Sequence, residues 1–355
     1  MKKAAVIILN WNGRQLLERF LPSVLRHTPT GTAEIVVADN GSTDDSAAFL
    51  TGNYPSVRLL RFDRNYGFAE GYNRAIEAVE AEYVVLLNSD VEVTEGWLDA
   101  PLHALDADPK LAAVQPKLLS EHNRSYFEYA GAAGGFIDRY GYPFCRGRIF
   151  STVEKDTGQY DMPCDILWAT GACLFIRRDI YLKEGGLDAR FFAHQEEIDL
   201  CWRLCCRGYR LRCIPQSAVY HVGGGTLQAE KPQKTFLNFR NNLLLLYKNL
   251  PPAEWRRVAR IRFWLDYVAA ARFLAEGHPA NAAAVFQARR EFRKLKKAYA
   301  GIREENRRKS IAASLPGIYP GSVVKAYYIE KKRTFSSLES GKKGDKNRLP
   351  PTAAK

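Results

Sequence analysis

The first ninety residues alternate between short apolar runs and segments with helical spacing. Short, mainly apolar runs are typical of strands buried on both faces of a sheet. They lie at residues 4–9, 34–38, 57–62 and 83–87. Apolar residues that recur every three or four positions predict helices between the strands. These helices are expected at residues 14–26, near 47–50 and at 73–81. The alternation predicts an α/β domain built on a parallel sheet with right-handed crossovers.

Polar residues follow three of these strands. The first strand runs into Asn10 and Asn12, the second into Asp39, and the fourth into Asp90. Ligands of parallel α/β sheets bind at the carboxyl ends of the strands, so we expect these side chains at one site. Asp39 can accept a hydrogen bond from a nucleotide base or a ribose hydroxyl, although aspartate is equally common in ordinary turns.

A loop with glycines follows the third strand. Within residues 65–73, Gly67 permits close approach of the backbone to a ligand, and the amides of Asn65 and Asn73 can hold a ribose or a pyrophosphate. The sequence contains neither G-x-G-x-x-G nor G-x-x-x-x-G-K-[ST]. Their absence argues against a dinucleotide enzyme and a P-loop ATPase.

Asp90 and His221 are candidate metal ligands. Asp90 lies just after the fourth strand, with Glu92 two residues later, and His221 ends a strand expected at residues 218–221. Mg²⁺ takes oxygen ligands and shares its site with substrate phosphates, so one or two protein carboxylates are enough. Imidazole also suits Mn²⁺. Each residue has an ordinary alternative, as a capping carboxylate or a structural histidine.

The densest acidic cluster lies at the start of a predicted helix. Glu196, Glu197 and Asp199 fall in its first turn, ahead of apolar residues at helical spacing. Acids at this position stabilise the helix dipole, which is one interpretation. The other is a general base, because activating a sugar hydroxyl requires a carboxylate held close to the reacting oxygen.

Basic charge is concentrated in the C-terminal part. The chain carries a net charge of +13, and residues 251–355 contain 24 Lys plus Arg against 9 Asp plus Glu. Arginines and aromatic residues mix in helical segments at 254–275 and 279–300, which suits helices on an anionic membrane surface. A helical subdomain packed on the core is the alternative. No nucleic-acid-binding motif accompanies the charge, so we expect no nucleic acid as partner.

Cysteine usage and hydropathy bear on the compartment. The seven cysteines contain no C-x-x-C pair, which favours reduced thiols over a zinc or redox site. No run reaches the ~20 apolar residues of a membrane helix, and the first residues do not resemble a secretory signal. Together with the basic helices, these features predict a cytoplasmic protein that is peripheral on the inner face of the membrane.

Taken in order, these segments resemble the family 2 glycosyltransferases, especially the bacterial rhamnosyltransferase-like branch. The matching segments are residues 6–12 (VIILNWN), 37–44 (VADNGSTD), 65–69 (NYGFA) with Asn73, 87–90 (LNSD), 171–172 (GA), 196–200 (EEIDL) and His221. The resemblance runs from residue 4 to about 250. It implies an α/β fold with a mostly parallel, Rossmann-like sheet flanked by helices, the nucleotide-diphospho-sugar transferase fold, with a C-terminal helical extension.

The resemblance also implies an activity. Members of this branch move a sugar, with inversion, from a nucleotide-diphosphate donor to a saccharide or lipid-linked acceptor in cell-surface polysaccharide synthesis, with Mg²⁺ or Mn²⁺ as cofactor. On this basis the donor-binding residues are Asn10, Asn12, Asp39, Asn65, Gly67, Asn73 and Asp90. Asp90 and His221 correspond to metal ligands, and Glu197 to the usual base, with Glu196 beside it.

The sequence departs from the family pattern at two positions. The D-x-D element is reduced to Asn88-Ser89-Asp90, and the E-D pair is Glu196-Glu197, whose second side chain is one methylene longer. A sugar nucleotidyltransferase and a non-catalytic sugar-nucleotide or membrane-binding module remain as alternatives.

The expected organisation has three parts. They are a catalytic domain at 1–250, a basic amphipathic helical extension at 251–310, and a basic tail at 311–355 that is disordered from Ser336 onward.

Overall fold

The computed structural model describes residues 2–223, 231–312 and 314–340. Its first part alternates strand and helix as the sequence predicts. In chain order the elements are β1 (Lys2–Asn10), α1 (Arg14–His27), β2 (Ala33–Asp39), α2 (Ser46–Asn53), β3 (Arg58–Arg61), α3 (Gly67–Glu77), β4 (Ala81–Asn88), β5 (Val91–Val93), α4 (Asp99–Ala107) and β6 (Leu111–Ser120). Helix α3 begins six residues before the predicted start, so the second half of the loop at 65–73 is helical.

Short strands dominate the middle of the chain and helices the C-terminal part. The middle elements are β7 (Gly135–Asp138), β8 (Pro143–Cys145), β9 (Arg148–Ile149), β10 (Thr152–Val153), β11 (Cys164–Asp165), β12 (Cys173–Arg177), α5 (Arg178–Lys183), a 3₁₀ turn (Ala189–Phe191), α6 (Glu196–Cys206) and β13 (Arg210–His221). They are followed by α7 (Pro232–Asn249), α8 (Pro252–Ala275), α9 (Pro279–Lys296), α10 (Ala300–Lys309), β14 (Ile318–Tyr319), α11 (Val323–Tyr328) and α12 (Phe335–Ser340).

Within the described residues, nine strands form the central sheet. Their order is β11-β13-β6-β12-β4-β1-β2-β3, with β5 paired to β13. Strands β3, β2, β1 and β4 are parallel neighbours, whereas β12 runs antiparallel to both β4 and β6. Alternate residues of β1 pack into two separate cores, Ile7 with α3 and Val6 with α1, because helices cover both faces. The α/β prediction is therefore confirmed.

The parallel strands end at the same edge of the sheet. Asn10 of β1 pairs in register with Asp39 of β2, and Leu9 pairs with Asn88 of β4. On the other side, His221 at the end of β13 pairs with Val91 of β5. The polar segments that follow β1, β2 and β4 are thereby brought together, as the sequence predicts.

The C-terminal helices pack on the rest of the chain. Trp255 of α8 and Phe292 of α9 contact Tyr247 of α7, with ring centroids 5.3 and 6.2 Å away. Arginines of these segments are expected at a membrane surface, but Arg262 is buried and binds the buried Asp266, which also binds Arg289. Ion pairing accounts for their burial. None of the described helices is both long and apolar enough to cross a membrane. The division at residue 250 stays a prediction.

The segment after residue 314 returns to the middle of the chain. β14 pairs with β7 in a second sheet of order β10-β9-β8-β7-β14. Disorder is expected from Ser336, yet α12 forms there because Phe335 is buried against Phe136, with ring centroids 4.8 Å apart. The remainder of the expected disordered tail, residues 341–355, lies outside the described residues.

Candidate active site

Asn10 and Asp39 form the floor of the site. Asn10 is wholly buried, and its Nδ2 donates to Asp39 Oδ1 at 3.1 Å and to Ser42 Oγ at 3.2 Å. Its Oδ1 is buried with no hydrogen-bond partner among the described residues. Asp39 also accepts from the backbone N of Ser42 at 3.3 Å. An unpaired amide oxygen thus lies beside a carboxylate with acceptor capacity left over, which suits the N–H and O–H donors of a base or a ribose.

Asn12 shapes the turn that follows β2. Its Oδ1 accepts from the backbone N of Thr43 at 2.7 Å and of Asp44 at 3.3 Å, and its own N donates to Ser42 Oγ at 2.9 Å. Its φ of 51° lies in the left-handed region, which asparagine tolerates better than most residues. The structure therefore places Asn12 in the wall of the site. The neighbouring indole of Trp11 is 49% exposed.

The loop before α3 is held by Asn40, which was not selected from the sequence. Its Nδ2 donates to Asn65 Oδ1 and to Gly67 O, both at 3.0 Å, and its Oδ1 accepts from Tyr66 N at 2.9 Å. Gly67 has a φ of 77°, and a Cβ there would lie 2.6 Å from the ring of Phe192. Only glycine fits such a position. Asn65 and Gly67 thus order this loop, and the sole sequence signal for Asn40 is its place in the turn after β2.

Asn73 contacts the segment that precedes the acidic helix. Its Nδ2 donates to Leu187 O at 2.8 Å, and its Oδ1 accepts from Leu187 N at 3.0 Å and from the Tyr181 hydroxyl at 2.6 Å. These contacts use one N–H and both lone pairs of the amide oxygen. Asn73 therefore connects α3 to that segment, and its contact with a donor stays a prediction.

Asp90, His221 and Glu128 form a row of buried side chains beyond the end of β4. His221 Nε2 lies 3.1 Å from Asp90 Oδ1 and 3.4 Å from Asn88 Nδ2. On the other side of the ring, Nδ1 lies 3.4 Å from Glu128 Oε2. The structure thus brings together the two predicted metal ligands. Glu128 was missed, because no motif marks it and it is 93 residues before His221 in the chain.

This row suits a cation. Burial lowers the pKa of His221, but hydrogen bonds to Asp90 and Glu128 outweigh burial and raise that pKa to about 10. The three side chains lie in a line rather than around one point, and the described residues contain no converging group of three or more His, Cys, Asp or Glu. Asp90 and His221 Nε2 therefore fit a divalent cation that takes its other ligands from phosphates. Glu92 instead pairs with Arg124.

Two glutamates begin α6. Glu196 is 3% exposed and Glu197 is half-buried, and each has an Oε2 that is buried without a hydrogen-bond partner among the described residues. Burial raises the pKa of Glu197 to about 7, against the opposing backbone hydrogen bonds of the helix start. Burial and the neighbouring Glu197 raise the pKa of Glu196 well above its usual value. A carboxylate with a pKa near neutrality suits a general base.

Asp199, in the same turn, has a different environment. It is fully buried and accepts from Arg203 Nε at 3.0 Å, Lys248 Nζ at 2.7 Å and Asn249 Nδ2 at 3.0 Å. Burial alone would raise its pKa, but Lys248 and Arg203 outweigh burial and keep that pKa below its usual value. Asp199 therefore fixes the helix and is not a second candidate base.

The acidic helix and the donor-side loop are directly connected. The carbonyl of Phe192, four residues before Glu196, accepts from Phe68 N at 2.9 Å and from Ala69 N at 3.4 Å at the start of α3. The same α3 follows the loop that Asn40 holds beside Asp39. The segment that precedes the two glutamates is thus hydrogen-bonded to the helix that follows the donor-side loop.

A family model described as glycosyl transferase family 2 matches residues 5–183, half of the chain. The chain belongs to this glycosyltransferase family. The matched range includes Asn10, Asp39 and Asp90, whereas the two glutamates of α6 and His221 lie beyond it.

Named relatives act in glycan synthesis. The chain is 29% identical over 232 residues to an N-acetylglucosaminyl-diphospho-decaprenol L-rhamnosyltransferase of Mycobacterium tuberculosis, covering 61% of this chain and 75% of the relative. It is 26% identical over 231 residues to the O-antigen biosynthesis protein RfbC of Myxococcus xanthus, covering 64% of this chain but 18% of that protein.

Solved structures share the fold. One is GalNAc-T7 with UDP, GalNAc and Mn²⁺, with a TM-score of 0.56 and 17% identity over 85% of this chain and 57% of that one. Another is the mannosyltransferase PcManGT of Pyrobaculum calidifontis with GDP-Man and Mn²⁺, with a TM-score of 0.51 and 15% identity over 86% of this chain and 85% of that one. The expected transferase fold is confirmed.

Proposed function

We propose that this glycosyltransferase moves a sugar, with inversion, from a nucleotide-diphosphate donor to a lipid-linked saccharide in cell-surface polysaccharide synthesis. The observation that carries the proposal is Glu197. It is a half-buried carboxylate with an unpaired oxygen and a pKa of about 7, on a segment hydrogen-bonded to the donor-side loop. The decaprenol-linked acceptor in the name of the mycobacterial relative supports the acceptor class.

The residues suggest a single nucleophilic displacement at the anomeric carbon of the donor sugar. Glu197 accepts the proton of an acceptor hydroxyl while that oxygen attacks the anomeric carbon of the donor sugar. The bond between this carbon and the diphosphate oxygen breaks on the opposite face, so the configuration inverts and the nucleoside diphosphate leaves with the bonding electrons. Asp39 and Asn10 hold the nucleoside, and the exposed indole of Trp11 offers a surface for stacking. Positioned proton transfer of this kind contributes ~10²–10⁴-fold.

We further propose a divalent cation, Mg²⁺ or Mn²⁺, at Asp90 and His221. When bound, it would neutralise negative charge that develops on the leaving diphosphate. The Asp90 carboxylate and the His221 imidazole, 3.1 Å apart, would supply an O and an N donor once a bound cation has displaced the proton that the ring carries at neutral pH. Glu128 would hold His221 by Nδ1, as carboxylates behind metal-binding histidines do.

Donor screening followed by transfer tests this function. UDP-, dTDP- and GDP-sugars are compared for thermal stabilisation with Mn²⁺ or Mg²⁺, and the stabilising donor is then offered with a polyprenyl-diphosphate saccharide. We expect one base series to stabilise the protein and a glycosylated lipid to form. Formation of a nucleotide sugar from a sugar phosphate and a nucleoside triphosphate would instead identify a nucleotidyltransferase. Donor binding without any transfer would favour a non-catalytic binding module.

Finally, we propose that the protein lies peripherally on the cytoplasmic face of an anionic membrane. Arg257, Arg260, Trp264 and Val268 recur every three or four residues on α8, so they share one helix face. Trp264 is 70% and Val268 65% exposed, and both arginines are also exposed. Exposed apolar side chains beside basic ones suit the boundary between anionic headgroups and acyl chains. The seven cysteines are all free thiols, as a reducing compartment favours.

A further inference from the structure

The segment that leads into the acidic helix has an unusual backbone. Phe192, His194 and Gln195 have φ values of 65°, 71° and 70°. Left-handed conformations are unfavourable for residues that carry a Cβ. Such strain persists only where surrounding contacts determine the backbone, and it is frequent at functional sites. Because this segment leads directly into Glu196 and Glu197, the contacts that fix its backbone also fix the position of the two glutamates.

A single side chain of α7 contacts most of this segment. Asn241 is wholly buried, and its Nδ2 donates to the carbonyls of Phe191 at 3.1 Å, Ala193 at 2.9 Å and His194 at 2.7 Å. An amide nitrogen carries two N–H groups, so at least one of them is shared between two carbonyls. Three carbonyls can point to one amide group only if the backbone between them turns sharply. The residues with positive φ values make this turn.

Neighbouring residues of α7 extend the contact on both sides. Arg240 donates to Phe191 O at 3.0 Å, and Asn242 donates to Gln195 Oε1 at 2.9 Å. Lys248 donates to the fully buried Asp199 at 2.7 Å, beyond the two glutamates. Helix α7 therefore binds the chain before and after the glutamates.

We propose that Asn241 is the positioning residue for Glu197, holding the left-handed segment at 191–195 so that the carboxylate of the base faces the acceptor hydroxyl. The role rests on the proposed function, in which Glu197 is the base. Without Asn241 the carbonyls of Ala193 and His194 lose this donor, whereas Phe191 O keeps Arg240. Leaving a carbonyl of the protein interior without a donor costs more than a missing contact between solvated groups. The segment should relax toward ordinary backbone angles, and the glutamates should move and gain solvent.

The experiment compares Asn241→Ala with the wild type and with Asn238→Ala. Asn238 is a half-buried asparagine three residues earlier on the same helix, and it contacts this segment through its backbone carbonyl, which accepts from Gln195 Nε2 at 3.1 Å and is kept in the alanine variant. Amide hydrogen exchange of residues 190–199, donor affinity, kcat and the pH profile of transfer are measured. If circular dichroism shows that Asn241→Ala does not fold, Asn241→Ser, which keeps a shorter donor, takes its place.

We expect faster exchange in residues 190–199, a fall in kcat of about tenfold or more because a misplaced base loses its alignment, and a donor Kd within about threefold of the wild type. The acidic limb of the pH profile should move below pH 7, since a more solvated Glu197 returns toward its ordinary pKa. Asn238→Ala should change none of these.

Unchanged exchange in the folded variant would overturn the proposal. The proposal would also fail if kcat and donor affinity fell together while the pH profile stayed where it is. That result would indicate that the substitution damages the site as a whole. If the wild type transfers no sugar with any donor, the proposed function fails, while the exchange measurement still decides whether Asn241 holds this segment.

Discussion

At the residue scale, Glu197 and Asp199 show how one turn of helix holds two carboxylates for different tasks. Asp199 is fully buried with Lys248 and Arg203 as cationic partners, whereas Glu197 is half-buried and forms no ion pair among the described residues. The pKa of Asp199 is held below its usual value, whereas that of Glu197 is raised to about 7. Environments that push two pKa values apart separate a permanently charged group from one that can take up a proton near neutral pH.

Glu197→Gln is the direct test of the base. The amide keeps the shape of the side chain and removes the proton acceptor, so transfer should fall by ~10²-fold or more while donor binding survives. Steady-state transfer and donor titration measure the two effects. Glu196→Gln is the matched control and should cost less. If Glu196→Gln lost more transfer activity than Glu197→Gln, Glu196 would be the base. If neither variant lost transfer activity, the acidic cluster would serve only to stabilise the start of the helix.

The raised pKa of Glu197 also predicts a pH-dependent cost in stability. The pKa of this carboxyl is about 7 in the folded state against 4.5 for an ordinary glutamate, so the group does not lower the free energy of unfolding below pH 4.5. Stability is then lost as pH rises toward 7, because the unfolded state ionises first. Thermal unfolding should therefore show Glu197→Gln more stable than the wild type at pH 8, by about 1–3 kcal/mol, and similar to it near pH 4.5. A variant that is less stable at pH 8 would contradict the burial argument.

At the scale of elements, strand ends are predictable and side-chain orientation is not. Continuous apolar runs locate β1, β2 and β4, and the geometry of a parallel sheet then brings Asn10 and Asp39 together. Sequence alone does not show where an amide points. Asn12, Asn65 and Asn73, all expected at the donor, have side-chain oxygens that accept from protein groups. These contacts shape the site, and donor binding by these residues stays a prediction.

Helix α7 shows a second limit of prediction from sequence, namely contacts between distant parts of the chain. Its helical pattern is clear from the sequence, but its contacts with the base segment join residues 47 to 50 positions apart. No local spacing encodes such a contact. Glu128 is a similar case, since β13 and the segment after β6 bring it to His221 only in the folded chain.

The pair of Asp90 and His221, at the end of β13 beside β5, leads to a prediction about metal binding. Asp90→Asn should abolish Mn²⁺-dependent donor binding without unfolding the protein, because it replaces the carboxylate next to His221 Nε2 with a neutral group. His221→Ala should weaken binding less, and Glu128→Gln should weaken Mn²⁺ affinity about tenfold by releasing the far side of the imidazole. Calorimetric titration of Mn²⁺ with nucleoside diphosphate measures these changes.

Glu92→Gln is the control for this series. Glu92 is only two residues from Asp90 but pairs with Arg124, so its loss should leave Mn²⁺ affinity unchanged. Full turnover of the wild type in excess chelator would show that the row of Asp90, His221 and Glu128 serves another purpose than binding a metal.

At the scale of the whole molecule, charge and apolar exposure coincide on the C-terminal helices. Residues 251–355 hold 24 Lys plus Arg against 9 Asp plus Glu, more than the excess of +13 in the whole chain. Part of this charge is internal, since Arg262 and Arg289 pair with Asp266. What remains outside includes the exposed arginines of α8 next to Trp264. Helix α8 is also tied to the catalytic part, because Arg262 binds Asn242 of α7. A surface that holds the enzyme at a membrane would thus be rigidly connected to the helix that contacts the base segment.

Vesicle binding tests this surface. The protein should bind vesicles containing anionic phospholipid more strongly than neutral ones, and the difference should shrink as salt is added, because exposed charges are screened. Arg257→Gln and Arg260→Gln should each lower binding about fivefold, the equivalent of ~1 kcal/mol per basic residue near the surface. Trp264→Ala should lower binding to anionic vesicles at any salt concentration, since it removes apolar contact rather than charge. Ile311→Ala, at a residue 77% exposed elsewhere on the chain, should have no effect. Equal retention on neutral and anionic vesicles at low salt would exclude the electrostatic attraction, and the arginines would then serve solubility alone.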